Sequence, residues 1–175
     1  MLVRAAVALV FGAVTVFWAS PSQAGTGWAG GAYLLATGVV LLWSVSRTGL
    51  RTASAPSKML AAAGAVLTGT GAAVALMPSD LVFGVLTALG VGLAGAAELF
   101  LGITHRGRSV LARDWMASGA VGLSTAALLP LFIDLGPHAL LGVAGGGAII
   151  SGVLWALAGL TLRHDARADS AEAVN

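Results

Sequence analysis

Six apolar runs, each close to the thickness of a bilayer's hydrocarbon core, leave this chain little choice but to fold in lipid. A helix rises about 1.5 Å per residue, so about 20 apolar residues cross a core of about 30 Å. The runs cover approximately 2–19, 28–45, 59–77, 81–103, 115–133 and 139–162. Only 9% of the 175 residues are charged, against roughly 25% in a soluble domain, and no polar stretch is long enough for a separate soluble unit. The runs lack the alternation of barrel strands. Their many glycines suit membrane helices, where small residues let backbones approach. The expected fold is an all-α integral membrane protein: one membrane domain of six transmembrane helices, followed by a disordered polar tail at 164–175.

The cations set the expected orientation. Arg4 precedes the first run; Arg47, Arg51 and Lys58 separate the second from the third; Arg106, Arg108 and Arg113 separate the fourth from the fifth; Arg163 and Arg167 follow the sixth. With six crossings, all nine basic residues share one side, and the opposite turns hold only Asp80 and Asp134 as charged groups. The positive-inside rule makes the basic side cytoplasmic, which places both termini there. Trp18 and Trp28 near one boundary, with Trp43 and Trp115 near the other, suit interfacial belts. The basic residues form short clusters without interleaved aromatics, so a nucleic-acid partner is not expected and membrane lipid is.

A spacing of 57 residues recurs. Gly38, Gly95 and Gly152 are successively 57 apart, as are Gly12 and Gly69, Pro21 and Pro78, Arg51 and Arg108, and Arg106 and Arg163. Each unit reads as a helical hairpin, approximately 2–46, 58–104 and 113–163, with a glycine-bearing second helix and a proline near its outer turn, since proline cannot continue a helix from within. The third unit departs from register around 132–138. The segment Ser22-Gln23-Ala24 before Gly25 imitates a signal-peptide cleavage site, but the repeat makes the first run an equal member of the fold and argues that it is retained.

The patterns VRAAVALVFGAVTVFWASP and GGAYLLATGVVLLWSV, then RDWMASGAVGLSTAALLP and ALLGVAGGGAIISGVLWALAGLTLR, resemble the HdeD family of bacterial acid-resistance membrane proteins, with short glycine-punctuated hairpins and six spans. The resemblance covers about 3–163, most loosely in the middle unit. It implies a multi-pass protein of a bacterial cytoplasmic membrane, associated with tolerance of acid stress and without an enzymatic activity. It supplies no site residues.

Catalysis lacks its parts: the chain has no cysteine, no nucleophile with a base and an orienting partner, and no pair of intramembrane carboxylates. No cofactor or metal is expected, because the three histidines are scattered and thiolate ligands are absent. Glu98 is the one acidic residue inside a run, and an intramembrane carboxyl is by default a functional hypothesis. At helical spacing it shares a face with Ala94, Gly95, Leu101 and Gly102, and burial favours the neutral form of a carboxyl. It is therefore a candidate proton-responsive group. The simpler account has it reaching water or Arg106 at the interface. His138, beside Asp134 on the outer side, is the second candidate. Helix packing is assigned to Gly38, Gly95 and Gly152, and to the G-x-x-x-G of Gly142 and Gly146, which is expected to serve the bundle's interior and could alternatively pair two copies. Two functions follow: a non-enzymatic membrane component of acid tolerance, acting alone, as a homo-oligomer or with other membrane proteins, or a small proton or solute transporter using Glu98.

Overall fold

The computed structural model describes residues 1–47, 55–107 and 111–172, with no strand among them. Its elements are α1 (Leu2–Phe17), α2 (Gln23–Arg47), α3 (Ala55–Leu76), α4 (Asp80–Thr104), α5 (Ala112–Leu128), a 3-10 turn (Leu129–Leu135) and α6 (Pro137–Glu172). Arg51 and Arg108 lie outside the described residues.

Local chemistry sets the helix starts. Ser22 Oγ accepts the Gly25 amide at 3.1 Å, and Ser79 Oγ accepts the Val82 amide at 3.2 Å, each occupying a donor that the first turn leaves unpaired. The two caps stand 57 residues apart, each directly after a proline. At the corresponding point before α6 the chain uses a different device: α5 tightens into the 3-10 turn carrying Pro130, which ends at Gly136 with φ 84°. That backbone region is open to glycine and costly for other residues, and it lies where the 57-residue register fails. At its other end α6 continues to Glu172, where a disordered tail is expected from 164. The tail contains no glycine or proline and is rich in alanine, so it extends a helix that is already nucleated. Residues 173–175 lie outside the described residues.

Five helices, Gln23–Ser46, Ala55–Leu76, Asp80–Thr104, Ala112–Leu135 and Pro137–His164, are long and apolar enough to cross a membrane. The sixth, α1, has 16 residues and is shorter. The outward surface is apolar, with Phe17, Leu76 and Leu131 each more than 70% exposed. Such a surface is stable against lipid and would aggregate in water. The protein is therefore an all-α, multi-pass membrane protein.

The most extensive packing joins α2 to α3, α4 to α5, and α6 back to α1, so the six helices close into a ring. Glycine makes these contacts close. A Cβ added to Gly38 would lie 2.7 Å from the Gly64 carbonyl oxygen, one on Gly95 would lie 2.9 Å from that of Gly119, and one on Gly152 would lie 2.9 Å from Leu9 Cγ. At Gly38 and Gly95 any side chain would force the helices apart, whereas at Gly152 the Leu9 side chain would have to shift. Gly142 and Gly146 behave otherwise. An added Cβ at either meets nothing within 4 Å, so the interior packing expected of this motif is not what the fold uses it for. The α6 face in contact with α1 is the one bearing Gly145, Gly152 and Gly159.

Candidate functional site

The ring encloses one buried ion pair. Arg4, in the first turn of α1, donates from Nη2 to Glu98 Oε1 on α4 at 2.5 Å, and both side chains are at most 7% exposed. Ser118 Oγ on α5 donates to the other carboxylate oxygen, Oε2, also at 2.5 Å. The Arg4 guanidinium lies over the Trp155 ring of α6, 4.0 Å from its centroid, a cation–π contact that strengthens when water is excluded. Four helices thus supply one charge centre. α1 and α4 do not pack against one another among the described residues; the long arginine side chain reaches across the interior to the carboxylate.

This placement corrects one expectation about cations and decides another about Glu98. Arg4 is not a solvated charge on the basic side but an interior residue, paired where an isolated charge would be unstable. Glu98 meets neither water at the interface nor Arg106. The small-residue face on which it lies packs as the spacing predicts: Gly95 abuts Gly119 and Leu123, and Gly102 abuts Ala112 and Met116, all on α5. That close approach brings Ser118 within reach of the carboxylate.

Beside the ion pair lies a cavity of about 50 Å³, lined by residues from α1 to α6. At about 10–15 Å³ per water-sized centre, it holds roughly three to five small molecules of that size. Its polar lining beyond the charge centre comes from Tyr33, Thr37, Thr87, Thr125 and Ser151. Tyr33 is fixed by stacking on Phe11, with ring centroids 4.2 Å apart and planes within 7°. Thr125 returns its hydroxyl proton to the Val121 carbonyl within its own helix. Among the described residues, four buried groups of the lining have no hydrogen-bond partner: Arg4 Nε, Thr37 Oγ1, Thr87 Oγ1 and Trp155 Nε1.

The lining follows the 57-residue spacing. Leu34, Val91 and Ala148 all face the cavity, as do Thr37, Ala94 and Ser151. The charge centre falls on the same spacing. Position 98 corresponds to Leu41 and to Trp155, and position 4 corresponds to Ala61 and to Ser118. Glu98 therefore accepts hydrogen bonds from two side chains, Arg4 and Ser118, whose positions are separated by twice the 57-residue spacing.

His138 takes no part in this site. It is exposed at the start of α6, 17 residues before Trp155 and so about 25 Å away along the helix. Near that end, Gln23 Nε2 donates to Asp80 Oδ2 at 3.2 Å, a surface contact between α2 and α4. Among the described residues no group of histidine and acidic side chains is arranged to hold a metal ion. Sequence reasoning singled out Glu98 and missed Arg4, Ser118, Trp155 and the threonines. The 57-residue spacing links positions 4 and 118, and 98 and 155, and offered the only sequence signal that could have gathered them. Comparison with known families, with curated proteins and with solved structures finds no match.

Proposed function

We propose that the chain crosses a bacterial plasma membrane six times, with both termini in the cytoplasm, and that it binds and passes a small polar solute or ion through its central cavity without covalent chemistry. The carrying observation is the convergence of Arg4, Glu98 and seven further polar side chains, together from five helices, on one cavity: Tyr33, Thr37, Thr87, Ser118, Thr125, Ser151 and Trp155. Spread along the sequence, these residues look too sparse to form a polar path; gathered around Arg4 and Glu98, they form a site inside an apolar shell, as small-solute sites in helical bundles do.

Counting α1 as a span is supported by its register on α6. Gly159 lies against Leu2, Gly152 against Leu9 and Gly145 against Thr15, so α1 runs antiparallel along about 21 Å of α6. Three hairpin units related by the 57-residue spacing are proposed because Leu34, Val91 and Ala148, and Thr37, Ala94 and Ser151, line the cavity at that spacing. The acid-tolerance role expected of an HdeD-like protein rests on the resemblance alone, and survival of a deletion strain at low external pH tests it.

The cavity reading is tested in liposomes carrying the purified protein. Ala94→Leu, which fills the cavity wall, is expected to abolish a flux of small solutes or ions that the wild type supports. Absence of any flux above protein-free liposomes would remove the reading. Because the chain has no cysteine, single cysteines at Ser20, Asp134 and Arg106 can be labelled individually in intact cells. The first two are expected to react with an impermeant reagent and the third to be protected.

A further inference from the structure

Hydrogen-bond donors dominate what the lining leaves without a partner. Arg4 Nε–H and Trp155 Nε1–H donate and cannot accept, and the Thr37 and Thr87 hydroxyls can each donate. Arg4, Trp155, Thr37 and Thr87 are 7%, 5%, 5% and 1% exposed, and all line the cavity. A buried donor without an acceptor is costly, so the lining favours a ligand rich in acceptors. A cation would meet the guanidinium and the indole N–H, neither of which can coordinate it.

The charge centre decides when such a ligand can enter. With Glu98 ionised, Arg4 is neutralised, and a monovalent anion would leave a net negative charge in a site of low dielectric. With Glu98 protonated, the guanidinium has no counter-ion, and an anion restores neutrality. Ser118 is satisfied in both states, since its hydroxyl can donate to a carboxylate or accept from a carboxylic acid. The groups facing Glu98 include no other acid: α1 brings Arg4, α2 brings Tyr33, α5 brings Ser118, α6 brings Trp155, and α3 contributes the apolar Leu67 to the lining. The room for roughly three to five water-sized centres limits the ligand to a few heavy atoms.

We infer that the cavity binds a small monovalent anion, of the size of chloride, nitrate or formate, together with one proton on Glu98. The inference rests on the cavity reading above and specifies its ligand. Thermodynamic linkage makes the coupling reciprocal: protonation tightens anion binding, and anion binding draws in a proton.

The test is calorimetric titration of the detergent-purified protein with sodium chloride, nitrate and formate, against gluconate as an anion too large for the cavity, from neutral to acidic pH. The expected result is affinity that rises by up to about tenfold per pH unit on acidification while Glu98 is ionised, with uptake of one proton per anion. Glu98→Gln is expected to bind the anion at neutral pH without pH dependence, and the anion is expected to raise its thermal stability. Trp155→Phe keeps the ring under Arg4 and removes the N–H, so it is expected to weaken binding about tenfold. This conservative variant keeps the test open if Glu98→Gln does not fold. Anion affinity independent of pH, equal affinity in Trp155→Phe, or Glu98-dependent binding of sodium would each overturn the inference. Liposome flux separates the two levels: flux of neutral solutes without anion binding removes the inference and keeps the cavity reading, whereas anion binding without any flux does the reverse.

Discussion

The ring's three glycine seams and its one charge centre obey different rules. In the seams, Gly38, Gly95 and Gly152 stand 57 residues apart; Gly38 and Gly95 bring a neighbouring helix to backbone distance, and Gly152 receives the Leu9 side chain. The charge centre draws on corresponding places too, but fills them with different residues: leucine, glutamate and tryptophan at 41, 98 and 155, and arginine, alanine and serine at 4, 61 and 118. The seams make the bundle. The departures from equivalence give its interior a direction, with one acid, one base and one aromatic face. Glycines at a fixed spacing can thus frame a site whose own residues differ at that spacing, because packing depends on side-chain size at the seam and the site depends on which polar groups project inward.

The contrast can be broken first at the charges. Arg4→Ala or Glu98→Ala alone strands a buried charge and is expected to cost about 3–5 kcal/mol. The double variant Arg4→Leu with Glu98→Leu is expected to recover most of that loss in thermal unfolding in detergent. Additive losses in the double variant would mean that the two residues are not coupled. Next come the seams. Gly38→Val, Gly95→Val and Gly152→Val are each expected to cost about 1–3 kcal/mol by overpacking, and a marked difference among the three would show that the seams are not equivalent. The helix caps follow: Ser22→Ala and Ser79→Ala are each expected to cost about 1 kcal/mol, read by the same unfolding measurement. The smallest effect is expected at Gly142→Ala and Gly146→Ala, within about 0.5 kcal/mol, because an added methyl group there meets open space. A loss as large as at Gly152 would mean that this face of α6 is covered in the folded protein.

Much of the fold was legible in the residues. Hydrophobic length located the apolar part of each helix to within about five residues, since the bilayer fixes how much apolar chain a crossing needs, but it did not reveal that α6 continues through the polar tail to Glu172. Glu98 stood out for the same reason: a carboxyl in such a run must find a partner. Its partner did not stand out. Arg4 sits near the end of an apolar run, where an arginine ordinarily snorkels to water, and nothing local distinguishes it from the loop cations. The G-x-x-x-G at 142 and 146 misled for a related reason. Spacing puts two glycines on one face of a helix, but it does not say which neighbour that face meets, and α6 turns its Gly145, Gly152 and Gly159 face toward α1 instead.

Composition and periodicity alone determined that this chain is helical, where its helices lie and that their outer faces meet lipid, because those properties follow from the solvent each segment must satisfy. The closure of α6 onto α1 was decided only by the tertiary structure. That closure sets Arg4 opposite Glu98 across 94 positions of chain and gathers isolated hydroxyls around one cavity. Such contacts depend on how six rods rotate and neighbour one another, and no single rod carries that information.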